Sequence, residues 1–332
     1  MKARALPAGV LLLLAIAAVP ASGYLKLGTQ LETRTVNLKW EEFPIRYFVT
    51  NRSAPAVSVQ DFQTAITRAF GTWDAVETAE TSTEFAGLTQ ANPLSGDSMT
   101  VLGFVNRSDL DRVLAATNFI IDVTTGEIVE SDIFFNTRFP WSVAAAGETG
   151  RQDVESIAVH EIGHLLGLGH SALGETELAP GGRRVLGAEA VMFPIAFSAG
   201  SIRDRSLKPD DIAGLTDIYP TTASRRSLGS ISGKVTKNGA GVLGAHVVAF
   251  NPETGRLVGG FTLNEDGGFT VAGLEPGPHI LRAEPLDDGD VDSFLDATLD
   301  IDVDFRVRFY DRVVTVPEGG GTRDVEIKVV SK

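Results

Sequence analysis

The chain has 332 residues, a formal net charge of −14 and no cysteine. Without cysteine there is no disulfide scaffold, thiolate zinc site, iron–sulfur cluster, cysteine nucleophile or lipoprotein anchor. The acidic balance speaks against a broad nucleic-acid surface, which needs clustered Lys and Arg, and the length suits two domains, each with its own core.

Residues 1–23 read as a signal peptide. Lys2 and Arg4 open it, Val10 to Val19 is a short apolar run, and Ala21-Ser22-Gly23 supplies small residues for cleavage. The run is short for a helix of about 20 residues that crosses a bilayer. No second long apolar run follows, so no membrane span is expected after signal cleavage. A secreted, extracellular or periplasmic and surface-associated location follows from that leader.

Beyond it, Val36 to Val49 is strand-like, with Leu38, Trp40, Ile45, Tyr47 and Val49 punctuating polar positions. Ser58 to Glu77 is helical by the spacing of Phe62, Ile66, Ala69, Phe70 and Trp73, with Ser58 as its cap. Met99 to Val105 and Leu114 to Ile121 read as strands. A turn at 122–126 and a strand over Glu127 to Asn136 make Leu114–Asn136 a hairpin. Asp153 to Leu166 is a second helix, Ser171 to Gly187 a long loop rich in Gly, Pro and charge, and Pro209 to Tyr219 a third helix. After Tyr219 the pattern becomes all β, with short runs at 231–235, 245–250, 268–271 and 279–283 between glycine turns. Asp300 to Tyr310 alternates as a half-buried strand would. The domain expectation is a signal peptide over 1–23, a first domain over 24–222, a linker at 223–227 and a small β-sandwich over 228–332.

The chemistry concentrates in His160-Glu161-Ile162-Gly163-His164-Leu165-Leu166-Gly167-Leu168-Gly169-His170. Residues four apart share a helix face, so His160 and His164 can grip one metal ion together. Gly167 ends the helix and brings His170 back as a third ligand. Three imidazoles and a water form a zinc site with one exchangeable position. Glu161 stands beside the first ligand as the general base for a zinc-activated water. Three of the chain's five histidines are used in this one segment.

This extended motif resembles that of the metzincin zinc peptidases, and its local wording resembles the matrixins. Ala190-Val191-Met192-Phe193-Pro194 is similar to the matrixin Met-turn, which implies that Met192 lies beneath the zinc ligands. Leu207-Lys208-Pro209-Asp210-Asp211-Ile212-Ala213-Gly214-Leu215, with Ile218-Tyr219, resembles the last matrixin helix, and Asp210 and Asp211 would tie it to the Met-turn. Trp40, Phe70 and Trp73 fit the family's first strand and helix. The resemblance covers residues 36–219. It implies an α+β fold, a twisted mixed sheet with three main helices, followed here by the all-β region. It also implies hydrolysis of peptide bonds in protein or peptide substrates. Leu114, Ala115 and Ala116 resemble the edge strand used to bind substrate, with Pro194 beside the specificity pocket.

The departures are informative. Ala116 and Phe134 stand where family members often carry histidines for a second, structural zinc, so one zinc is expected. Asn136 replaces a typical calcium-binding aspartate, which leaves calcium open. The stretch from His170 to Met192 is longer than in typical matrixins, and its Arg183 and Arg184 are expected on a solvated loop. Ile195-Ala196 alters the pocket wall, so side-chain preference does not carry over. The matrixin propeptide cysteine is missing, and the stretch between Gly23 and Val36 is too short for a folded prodomain. The expectation is an enzyme competent soon after export or one held by a partner.

Residues 228–332 resemble a carboxypeptidase-regulatory-like, transthyretin-type β-sandwich. The resemblance lies in Ile231-Ser232-Gly233-Lys234-Val235, Ala245-His246-Val247-Val248-Ala249, Asp266-Gly267-Gly268-Phe269 and Leu274-Glu275-Pro276-Gly277. His246 and His279 are expected to be structural, and Asp287, Asp288, Asp290 and Asp292 to form a solvated acidic loop. Two functions remain in view. One is a secreted zinc endopeptidase; the other is an extracellular binding or adhesion protein with a vestigial peptidase-like domain. The intact Glu161 favours the first. The sequence does not set an oligomeric state.

Overall fold

The computed structural model describes residues 17–18, 26–30, 35–180, 182–295 and 299–332. The leader expected over 1–23 lies outside them apart from residues 17–18. Among the described residues no helix is long and apolar enough to cross a membrane.

Strand β1 (Ile45–Thr50) is followed by helix α1 (Val59–Asp74). Ser58 caps α1, its hydroxyl accepting from Asp61 N at 3.1 Å, and the face Phe62, Ala65, Ile66, Ala69, Phe70 and Trp73 is buried. Strands β2 (Thr83–Thr89), β3 (Thr100–Val105), β4 (Ala115–Ile121) and β5 (Ile128–Asn136) complete a five-stranded sheet in the order β2-β1-β3-β5-β4. All neighbours are parallel except β4 and β5, which form the expected antiparallel hairpin. Among the described residues β4 is therefore an edge, with one side of its backbone free of sheet partners.

The strand expected over Val36–Val49 is broken in two. Thr35–Asn37 pairs with Leu27–Gln30, and the chain re-enters the main sheet only at Ile45. Trp40 lies in the gap because it serves other elements. Its backbone N donates to Tyr219 Oη at 3.0 Å and its indole to Leu165 O at 2.8 Å.

Helix α2 (Val154–Leu165) begins at Asp153, whose carboxylate accepts from Ser156 N at 2.9 Å and pairs with Arg205. Trp73 of α1 donates its indole N–H to Val159 O at 2.8 Å. Two indoles, those of Trp73 and Trp40, thus bond to carbonyls of α2. The core around them runs through Tyr47, Phe62, Trp73, Phe135, Ile162, Leu165, Met192 and Leu215.

Residues 171–187, expected as a loop, instead contain the hairpin β6 (Gly174–Ala179) and β7 (Gly182–Ala188). Helix α3 (Pro209–Ile218) is where the sequence puts it. The expected linker contains a short helix, α4 (Thr222–Ser227), capped by Thr221, whose hydroxyl accepts from Ser224 N at 3.0 Å.

Beyond α4 the chain is β-rich: β8 (Gly229–Lys237), β9 (His246–Phe250), β10 (Leu257–Phe261), β11 (Gly268–Leu274), β12 (Gly277–Glu284), β13 (Val314–Val316) and β14 (Gly321–Val329). β8 pairs with β11 and, in parallel, with β14; β9 pairs with β10 and β12, and β13 with β12. The two sheets share one apolar core containing Ile231, Val235, Val247, Val271, Leu281 and Ile327. The alternation over Asp300–Tyr310 does not become a strand. Only Arg308–Phe309 pairs, with Arg282 and Ala283; Phe305 is buried in the core, Tyr310 packs against it, Ile301 and Val303 pack on a separate apolar cluster, and Val307 and Phe309 stay exposed. A separate apolar cluster joins the halves of the chain. It contains Phe193 from the first, packed with Phe261, Leu286, Phe294 and Leu295 from the second.

Candidate metal centre

His160 and His164 occupy one face of α2, and Gly167 turns the chain just after it. Gly167 has φ +96°, and a Cβ there would collide with Leu38 O. Only glycine accepts both conditions. The turn returns His170 to the other two histidines. Their rings approach with centroids 4.7–5.4 Å apart, and one ring nitrogen of each lies within 4.8 Å of the others.

The remaining ring nitrogens are all engaged by backbone carbonyls. His160 Nδ1 meets Val191 O at 2.8 Å, His164 Nδ1 meets Leu168 O at 2.8 Å, and His170 Nδ1 meets Ser293 O at 2.5 Å. A carbonyl only accepts, so each Nδ1 carries the proton and each Nε2 presents a lone pair. His164 Nε2 and His170 Nε2 are 3.1 Å apart. Two donors about 2.05 Å from a tetrahedral zinc would stand about 3.3 Å apart, so the all-imidazole set fits that ion. Burial is the largest influence on all three rings. It lowers His160, holds His164 well below the usual range with His170 and His160 adding to it, and brings His170 to about 3. Neutral imidazole is the form that binds metal.

Glu161 faces β4. Its Oε2 accepts from Thr117 Oγ1 at 2.7 Å, and burial pushes the carboxyl up to about 7 against that bond. Thr117 is a site residue that the sequence reading did not assign. It lies 44 positions from Glu161, and no local pattern links the two.

Met192 is fully buried, and a Cβ on Gly163 would collide with its sulfur. The methionine therefore lies against α2 between the turns carrying His160 and His164. Asp211 holds this Met-turn from behind. Its two oxygens accept from Val191 N at 2.9 Å, Met192 N at 3.1 Å and Lys208 N at 2.8 Å. Val191 is the residue whose carbonyl orients His160, so the start of α3 acts on the first imidazole through one peptide. Asp210 differs from the expectation. It accepts from Ser171 Oγ at 2.5 Å and from Gly259 N at 2.7 Å, which ties the segment after His170 to the β-rich region. Burial pushes Asp210 up to about 8 and Asp211 up to about 6.

Leu114, Ala115 and Ala116 lie at the start of the β4 edge, Ala115 buried and the others half-buried; Pro194 is half-buried beside Phe193. Ala116 and Phe134 face each other across the β4–β5 ladder, so the two substituted positions are one cross-strand pair. Asn136 is fully buried. Its Nδ2 donates to the carbonyls of Arg107, Leu110 and Val113 at 3.0, 3.0 and 3.1 Å, while Oδ1 accepts from Arg107 N and Arg138 N. An aspartate could not make the first three bonds. Nearby, Asp132 accepts from Leu94 N at 2.6 Å and Val101 N at 2.8 Å, and Glu130 accepts from Ser98 N. Burial pushes Glu130 up to about 7 and Asp132 up to about 6.

Of the two arginines expected in solvent, Arg184 is exposed and pairs with Glu177 of its own hairpin, while Arg183 meets the acidic loop. Arg183 pairs with Asp290 and donates to Asp287 O, and Thr176 N donates to Asp288 Oδ1 at 3.1 Å. His246 and His279 are buried in the β-rich region, Nδ1 of the first 2.9 Å from Glu284 and that of the second 3.2 Å from Gly277 O.

A mixed sheet ending in an edge strand, with a helix that carries two histidines, a turn that returns a third and a buried methionine against that helix, defines an α+β domain with a candidate metal centre. The Matrixin family model matches residues 39–220, and the chain belongs to the matrixin family. Matrixins are zinc-dependent, and the His160, His164 and His170 triad fits a zinc site. Stromelysin-1 of Mus musculus is 26% identical over 190 residues, covering 56% of this chain and 34% of that protein. Metalloendoproteinase 1 of Glycine max is 30% identical over 173 residues, 48% of this chain and 45% of that protein. Metalloendoproteinase 5-MMP of Arabidopsis thaliana is 46% identical over 67 residues, 20% and 14% respectively. The match spans less than half the length of each of these relatives.

Proposed function

We propose that this chain is an exported zinc-dependent endopeptidase acting on protein substrates. The observation that carries this reading is the convergence of three imidazoles, each with Nδ1 on a carbonyl, beside the buried Glu161 carboxylate. In this reading His160, His164 and His170 hold one zinc ion, which when bound supplies Lewis acidity to a peptide carbonyl and to the attacking water. Glu161 orients that water, takes its proton and returns it to the leaving amine. Thr117 fixes the Glu161 rotamer, and Met192 gives the ligands an apolar floor. The peptide lies antiparallel along β4, where Leu114, Ala115 and Ala116 offer main-chain groups. Pro194 borders the pocket that receives one side chain.

The apolar leader supports export. Residues 24–222 act as the peptidase unit and 228–332 as a second unit, with 223–227 between them. The test is hydrolysis of casein or gelatin by the purified chain, with and without a chelator. Glu161→Gln should keep its zinc and lose hydrolysis by at least about a hundredfold. Wild-type rates in that variant would overturn the role.

A further inference from the structure

Two of the three carbonyls that orient the imidazoles come from the matrixin segment itself, Val191 from the Met-turn and Leu168 from the turn after α2. The third does not. Ser293 lies 123 positions beyond His170, in the β-rich region outside the family match. It ends a single 3-10 turn, Val291–Ser293.

That turn is firmly built. Ser293 N donates to Asp290 O at 2.8 Å, and the N–H groups of Phe294 and Leu295 both close onto Val291 O at 3.0 Å. Phe294 is buried, its ring 6.4 Å from those of Phe193 and Phe261, and Gly289 leaves it room, since a Cβ there would strike the ring. The β6–β7 hairpin holds the approach to the turn. Besides the bonds from Arg183, Thr176 Oγ1 donates to Asp288 O at 2.7 Å. The position of the Ser293 carbonyl is thus set by aromatic packing on one side and a hairpin clasp on the other.

We infer that the β-rich region completes the metal centre, with the Ser293 carbonyl as the positioning group for His170. The carbonyl fixes the proton on Nδ1 and points Nε2 at the other two imidazoles. This rests on the zinc reading of the triad. Removing an outer partner of a metal-bound histidine weakens metal binding by roughly ten- to a hundredfold. Undocking the Ser293 turn should therefore loosen zinc even though it leaves all three histidines in the chain.

The test uses the full chain and zinc alone. Phe294→Ala removes the anchor of the turn. Ser293→Pro removes the N–H that closes it and serves if the first variant fails to fold. Zinc affinity is read by competition with a chromogenic chelator, and ligand geometry by the visible spectrum of the cobalt-loaded protein. Phe269→Ala removes a buried aromatic of the same region away from the turn. The expected result is zinc binding weakened about tenfold or more and an altered cobalt spectrum in the turn variants, with wild-type values in Phe269→Ala. Turn variants with wild-type affinity and spectrum overturn the inference, and so does an equal loss in Phe269→Ala. A wild-type chain that takes up no zinc overturns the zinc reading as well.

Discussion

Two pairs of buried acids, Asp210 with Asp211 and Glu130 with Asp132, meet almost the same chemistry and serve different ends. Each accepts backbone N–H groups, and burial pushes all four carboxyls up. Glu130 and Asp132 gather the loop 94–101 against β5. Asp211 gathers the turn that carries Met192 and the carbonyl facing His160, and Asp210 bonds across to Gly259. The same device closes a loop in one place and aims the His160 imidazole in the other. What distinguishes them is the next residue along the chain of contacts.

Substitutions separate the two pairs. Asp211→Ala leaves three N–H groups without an acceptor. At about 1–3 kcal/mol for each buried unsatisfied group, it should cost upwards of about 3 kcal/mol and reduce zinc retained after dialysis. Asp132→Ala orphans two amides and should cost about 2 kcal/mol or more with zinc content unchanged. Equal zinc loss in both variants would erase the distinction. Asn136→Asp should cost about 1–3 kcal/mol, because a carboxylate would then face three carbonyls. Thermal or urea melts read each change.

A pH dependence is also expected. Asp210 stands at about 8 in the folded chain, against about 3.9 unfolded. Its contribution is complete below pH 4 and is lost as pH rises towards 8, because the folded state holds the proton longer. The urea midpoint should therefore fall between pH 6 and 8. Asp210→Asn should flatten that fall, since an amide can accept from Gly259 N and donate to a reoriented Ser171 hydroxyl. An unchanged slope would remove Asp210 as its source. The low values of His164 and His170 act in the opposite sense, costing stability as pH drops below about 6.5.

The convergence of the three histidines was largely legible because its information is local. Spacing puts His160 and His164 on one face, and the glycine at 167 brings His170 back within a few residues. Thr117 meets Glu161 from 44 positions away and Ser293 meets His170 from 123 positions away, and nothing in the local pattern marks them. The β6–β7 hairpin read as loop because its sequence is rich in glycine and charge and, among the described residues, its strands pair only with each other, leaving Leu178 81% exposed. β2 carries Gly87 at φ +127° and went unread for a similar reason. The alternation over Asp300–Tyr310 misled in the opposite direction. Its polar residues are partly spent on side-chain and backbone bonds to Lys237, and its apolar residues are divided, Phe305 in the sandwich core and Ile301 and Val303 on a separate cluster.

The Asn136 amide has a practical side. The carbonyls of Arg107, Leu110 and Val113 converge on a nitrogen that belongs to the polypeptide. A clamp of that kind cannot be dialysed away, and its strength does not follow the ionic composition of the surroundings. That corner of the domain should keep its shape in media stripped of divalent ions, whether a laboratory buffer or a calcium-poor habitat.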